Sequence, residues 1–292
     1  MKSDFFPDES VEFIGFSDDT RKLSKADVEG EQLWEKIFNR DLNYGGMLVG
    51  VFGIMGSGKT SLLHHISKRI MQENPEELVF WREPINNPLQ VINNGVDFQI
   101  FCEKSHPVYA QQLHGKKLVY TDKIKIRKFS GFFNLLNMAD PSKINVIYLD
   151  DHTRWLKFIE RLKIYPGWKS IIMDEMEDIC PMRVHGKAWR MNERFANSLK
   201  EIRKCNINLY YNTQNQMDLD YRISSKTMMH IYSYGARKDE HSPVFKGALQ
   251  NLSLGSAWID FARARFGMIR FPPVKPKQPL YYIVHDQRRK KK

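Results

Sequence analysis

Four short groups of residues set the chemistry open to this sequence. The first is Gly53-Ile54-Met55-Gly56-Ser57-Gly58-Lys59-Thr60, a glycine, four residues, then Gly-Lys-Thr. Gly53, Gly56 and Gly58 let the backbone approach phosphate oxygens, and Ser57 and Ser61 flank the site at a helix start with unpaired N–H groups. Lys59 reaches the β/γ-phosphates of a nucleotide, and Thr60 is a ligand for Mg²⁺. This is the P-loop (Walker A) pattern; a glycine-rich turn between two core elements is the plainer alternative. The second group is Asp174-Glu175, closing the run SIIMDE. There an aspartate can join the metal shell, and the next glutamate can polarise a water as general base. The third is Thr213-Gln214; the Gln214 amide both donates and accepts, which suits a γ-phosphate or an attacking water. The fourth is Arg222, whose guanidinium could neutralise charge developing in phosphoryl transfer. An ion pair with Asp218 or Asp220 would occupy it instead. Together the groups call for ATP and Mg²⁺.

The flanking patterns supply the elements that must hold these residues. Residues 47–52 (MLVGVF) read as a buried strand before the glycine loop, and apolar residues at helical spacing follow it through Ile70. Residues 78–81 (LVFW) make a second strand, ending in Arg82-Glu83-Pro84, either a site or a surface loop. Residues 97–102 suggest a strand. Residues 117–121 and 123–129 (KLVYT, KIKIRKF) resemble a hairpin with a basic outer face. That face could serve a partner or guard a sheet edge. Residues 144–149 (INVIYL) end in Asp150-Asp151, a rival to Asp174-Glu175. The second pair is preferred because a glutamate directly after the aspartate suits hydrolysis, and because the next strand, 207–212, falls where a sensor strand is needed. Helices are expected over 153–163 and 189–204, and further strands over 228–234, 256–262, 265–271 and 280–284. An N-terminal arm (1–40) carries a short helix before a turn at 43–46. It precedes a domain over 41–272 with an insertion at about 85–145. A Pro-rich segment and basic tail occupy 273–292.

Composition narrows the partners. Of 292 residues, 42% are hydrophobic, enough for a full core, and the net charge is +11. With a pI near 9.4, the balance points to a polyanion, nucleic acid before membrane. The tail, with Arg288, Arg289, Lys290, Lys291 and Lys292, suits loose phosphate contacts. No apolar run approaches the ~18 residues of a membrane span, and MKSDFFPDES is not a signal peptide. A soluble, cytoplasmic protein is expected, in the host cytoplasm if viral. Three dispersed cysteines support neither a zinc site nor a disulfide framework.

The order GIMGSGKT, SIIMDE, a helix, then INLYYNTQ followed by an Asp-to-Arg stretch resembles the FtsK–HerA superfamily of P-loop ATPases. The stretch TQNQMDLDYRIS is similar to the post-sensor region of Zot-like and genome-packaging members. The resemblance covers residues 47 to about 235. It implies an α/β, RecA/FtsK-like P-loop NTPase fold: a mostly parallel sheet between helices, with an insertion and C-terminal strand additions. It carries the family's roles to Lys59, Thr60, Asp174, Glu175 and Gln214, and to Arg222, although arginine-finger positions vary among members. It implies an ATP-driven motor on double-stranded DNA, assembled as a ring, a hexamer, that packages or pumps a viral or plasmid genome and meets capsid or assembly proteins. The alternative is a Zot-like morphogenesis factor doing nucleotide-driven work on proteins. The chain departs from the pattern in lacking the transmembrane helix common in Zot-like members, in its long insertion and in the rival Asp-Asp pair. A small-molecule kinase is disfavoured, since a kinase must avoid activating water.

Overall fold

The computed structural model describes residues 25–40, 45–149, 151–237, 249 and 252–286. The expectations for the first 24 residues, the turn at 43–44, Asp150 and the tail from 287 fall outside these residues.

The strands in chain order are β1 (Leu48–Phe52), β2 (Leu78–Arg82), β3 (Phe98–Glu103), β4 (Val108–His114), β5 (Lys117–Tyr120), β6 (Ile126–Phe129), β7 (Ile144–Tyr148), β8 (Lys169–Met173), β9 (Ile207–Thr213), β10 (Met229–Ser233), β11 (Ser256–Phe261), β12 (Arg265–Arg270) and β13 (Tyr281–His285). Ten form one sheet in the order β12-β11-β10-β1-β9-β8-β2-β7-β3-β6. From β10 to β6 every neighbour is parallel; β11 and β12 are added antiparallel at one edge. β1, β2 and β7 to β10 are buried along their whole length, which is why each reads as a short, nearly unbroken apolar run.

The helices are α1 (Lys25–Lys36), α2 (Lys59–Glu73), α3 (Phe132–Met138), α4 (His152–Lys163), α5 (Gly186–Ile202) and the short α6 (Tyr221–Ser224). Strand side chains alternate between the two faces. Val49 and Val51 of β1 pack with Leu33 and Trp34 of α1 and with Leu62, Leu63, Ile66 and Ile70 of α2. Leu48 and Phe52 belong to the other core, with Leu135 of α3, Trp155 and Phe158 of α4, and Phe195 and Leu199 of α5. The result is the helix–sheet–helix sandwich expected for a mostly parallel sheet.

The 117–129 stretch corrects the hairpin expectation. β5 pairs antiparallel with β4, and β6 pairs parallel with β3. Lysine–isoleucine alternation marks a half-buried strand but does not name its partner. The turn that joins a hairpin here is His114-Gly115-Lys116, where Gly115 takes φ 59°. β13, β4 and β5 make a separate three-stranded sheet. A Pro-rich strap from Phe271 reaches it across α2: the Val274 N–H donates to Ser61 Oγ (3.0 Å) and the Lys277 N–H to Asn93 Oδ1 (2.7 Å).

Candidate active site

Sheet register brings three strand ends together. Phe52 of β1 lies opposite Thr213 of β9, and Met173 of β8 lies opposite Tyr211. The glycine loop, Asp174 and Gln214 therefore leave the sheet side by side at its carboxyl edge, where open α/β sheets build sites.

Gly58 takes φ 90° and caps α2, a conformation open mainly to glycine. Lys59, on the first turn, folds its ammonium back into the loop, donating to Gly53 O (2.8 Å) and Ile54 O (2.9 Å). Burial lowers its pKa, while the carboxylates of Asp174, Glu177 and Glu175 oppose that fall. Ser57 Oγ lies 2.9 Å from Ser233 Oγ, which donates to Phe52 O (2.8 Å), so the loop is pinned to β10. The outer loop is open: a side chain at Gly56 would meet nothing within 4 Å. Thr60 Oγ1 is 3.4 and 3.5 Å from the two Asp174 oxygens. Ser61 Oγ accepts from the strap.

Asp174 is buried, and burial raises its pKa against Asn212, Arg82, Lys59 and Thr60. Glu175 sits in the left-handed region (φ 55°, ψ 61°), an uncommon state for a residue with a side chain. Two neighbouring strands hold it there. From β9, Asn212 Nδ2 donates to Asp174 Oδ1, and Asn212 Oδ1 accepts the Glu175 N–H at 2.8 Å. From β2, the Arg82 guanidinium donates to Asp174 O and to Glu175 O (3.2 Å), and pairs with Asp178 at 3.2 Å. The Glu175 carboxylate makes no hydrogen bond among the described residues. Burial, then Asp174, Asp178 and Glu177, push its pKa upward, which makes it a stronger base than a surface glutamate.

Gln214 is exposed at the tip of β9. Its N–H donates to Glu177 Oε1 at 3.0 Å. With Glu175, Glu177, Asp178, Arg183 and Arg237 it lines a cavity of about 720 Å³. Arg222 is elsewhere. Its Nε donates to Asp220 Oδ1 (2.9 Å), one terminal nitrogen donates to Asp220 Oδ2 (2.7 Å), and the guanidinium lies 4.5 Å from the Trp189 ring. The bidentate pair with Asp220, the plainer alternative, is the arrangement found, and Arg222 does not line the cavity. Asp151 caps α4, accepting the Arg154 N–H at 2.8 Å. The strand before it, β7, is separated from β8 by β2, and Thr60 meets Asp174 rather than Asp151. Arg82 and Glu83 are buried rather than on a surface loop.

Sequence reasoning passed over Arg82 as a support, and it missed Asn212 and Arg237. Asn212 left a signal, a polar residue inside the wholly buried strand β9. Arg237 left none beyond following a strand.

No protein-family model matches the sequence, and no curated protein does. Among solved structures, the chain is similar to the genome packaging NTPase B204 from Sulfolobus turreted icosahedral virus 2. Against its complex with ATP-gammaS the TM-score is 0.52 at 13% identity, covering 78% of this chain and 98% of that one. Against its AMPPCP complex the TM-score is 0.51 at 13% identity, covering 77% and 98%. ATPases 2 and 3 of Thermomonospora curvata EccC give 0.44 at 12% identity, covering 80% and 38%. The chain thus has the P-loop NTPase fold that its motifs lead one to expect. No described helix is long and apolar enough to cross a membrane.

Proposed function

We propose that this chain is an ATP-hydrolysing motor of the FtsK–HerA type that moves double-stranded DNA, in packaging or pumping a viral or plasmid genome. One observation carries the reading: Thr60 faces Asp174 at 3.4 Å while the adjacent Glu175 carboxylate stays unpartnered among the described residues. The fold and name of B204 lend support from outside the chain.

Residues 53–61 hold the triphosphate through backbone N–H groups, and Lys59 exchanges its two loop carbonyls for phosphate oxygens. Thr60 Oγ1 and the Asp174 carboxylate are hard oxygen donors set side by side, at 3.4 and 3.5 Å, the long limit of a hydrogen bond. That pair fits Mg²⁺, which takes few protein ligands beside phosphate and water. When bound, Mg²⁺ neutralises phosphate charge. Glu175 takes a proton from water as the water oxygen bonds to the terminal phosphorus and the bond to the leaving diphosphate breaks. Gln214 orients that water or reads the terminal phosphate. Because the base must be ionised, turnover falls as pH drops through the Glu175 pKa, which burial raises from its ordinary value.

The charge of +11 and the exposed cations Lys104, Lys116, Lys117, Lys123, Lys125, Arg127 and Lys128 favour a phosphate polymer as the load. A second reading, nucleotide-driven work on proteins during virion assembly, draws on Leu118, Val119 and Tyr120, apolar and exposed on edge strand β5. ATP turnover with and without double-stranded DNA, read beside the particle mass in solution, separates the two. A ring-sized particle with turnover raised several-fold by DNA supports the motor. An unchanged rate favours assembly work. Lys59→Ala abolishes nucleotide binding or turnover in either case.

A further inference from the structure

The bidentate pairing of Arg222 with Asp220 keeps that guanidinium away from the site, where phosphoryl transfer calls for an arginine beside Lys59. A different arginine meets the requirement. β10 ends at Ser233, and the turn that follows lies directly on the glycine loop. A Cβ on Gly53 would meet Tyr234 O at 3.2 Å, and one on Gly235 would meet the Ile54 side chain at 2.7 Å. Two residues on, Arg237 lines the same cavity as Glu175 and Gln214. Its side chain is exposed, and its guanidinium has no hydrogen bond or ion pair among the described residues. Glu175, Glu177, Asp178 and Asp218 line the same cavity, which is acidic apart from Arg183 and Arg237.

We propose that Arg237 is a catalytic residue that meets the terminal phosphate of the nucleotide held by its own chain. The proposal rests on the hydrolase reading above. In the step, water oxygen bonds to the terminal phosphorus, the bridging P–O bond breaks and its electron pair leaves with the diphosphate. The water proton passes to Glu175. Negative charge grows on the transferred and leaving oxygens, and a guanidinium donating there lowers the barrier without taking a proton. The short turn from Gly235 to Arg237 ties the group to the loop that carries Lys59, so the contact is made within one chain.

The test is phosphate release from ATP by the full chain, measured for wild type, Arg237→Ala and Arg237→Lys, with ADP affinity measured in parallel. Arg237→Ala is expected to lower kcat by roughly 10²- to 10³-fold, within the range or below that seen for arginine fingers, and to leave ADP affinity within about threefold. Arg237→Lys recovers part of the loss, because it restores the charge without the fork. A kcat for Arg237→Ala within about threefold of wild type overturns the proposal. Mixing Arg237→Ala with Lys59→Ala subunits tests the geometry: no recovery supports a contact within one chain, and recovered turnover overturns it in favour of a contact between copies. An inactive wild type would overturn the hydrolase reading and this proposal together. An active wild type with an indifferent Arg237→Ala would overturn only the arginine.

Discussion

Asn212 and Arg82 hold the proposed catalytic pair, Asp174 and Glu175, without being part of it. Each makes contacts to both Asp174 and Glu175, and between them they fix a left-handed backbone at Glu175. A non-glycine residue there costs on the order of 1–3 kcal/mol, so the supports must over-determine it. Asn212→Ala or Arg82→Gln is expected to lower kcat about 10²-fold while nucleotide affinity stays near wild type, read as a split between kcat and KM. An unchanged kcat would mean the pair holds itself. Glu83, beside Arg82, gives a second prediction at this scale. Burial, with the Asp174 charge acting the same way, pushes it up to about 8 against the N–H of Gln90. The folded chain therefore keeps a proton that the unfolded chain releases near 4.5. Stability falls as pH rises from there to about 8, by at most about 1.4 kcal/mol per pH unit. Glu83→Gln should flatten that slope and give the higher Tm above pH 8; equal slopes for both proteins would refute it. At the residue scale the sequence was informative where a motif fixes spacing, as at Lys59, Thr60, Asp174 and Glu175. It offered Arg82 only as part of a strand end that was either a site or a surface loop, and it was silent on Asn212 and Arg237, whose proposed roles depend on which strand lies beside which.

Strand order is the fact at the next scale that decides between the two acidic pairs. β9 lies between β1 and β8, so β8 brings Asp174 to the glycine loop while β7 stands beyond β2. Asp151 is left to cap α4. Asp151→Ala should cost about 1 kcal/mol of stability, as removal of an N-cap does, visible as a lower Tm with kcat unchanged. A loss of turnover comparable to that of Glu175→Gln would return the metal role to β7. Most elements were legible because buried parallel strands read as apolar runs bounded by turn residues. The failure at 117–129 has a physical origin. Alternation reports which face of a strand is buried, and only turn chemistry reports its neighbour. Gly115 carried that information, not the link between β5 and β6.

For the whole molecule, the five strands β10-β1-β9-β8-β2 carry the residues of the proposed nucleotide site, and the additions lie outside them. β7, β3 and β6 extend the sheet past β2, and the separate small sheet has β5 as an edge. The basic residues 116–128 belong to these additions. Replacing Lys117, Lys123 and Lys125 with glutamate should weaken binding to double-stranded DNA. It should also reduce the slope of log affinity against log salt by about one for each phosphate that is no longer neutralised. An unchanged slope would show that this surface only guards an edge. Charge was readable from composition; its position was not, since the same lysines could have lined a hairpin on any side of the core.

The most direct test of the central claim compares phosphate release by wild type and Glu175→Gln at saturating Mg·ATP, with no acceptor added and nucleotide retention followed in the same samples. Steady release by wild type, and a variant that holds ATP without releasing phosphate, is the predicted outcome. A Glu175→Gln protein that turns over at the wild-type rate, or a wild type that binds ATP and leaves it intact, would contradict the assignment.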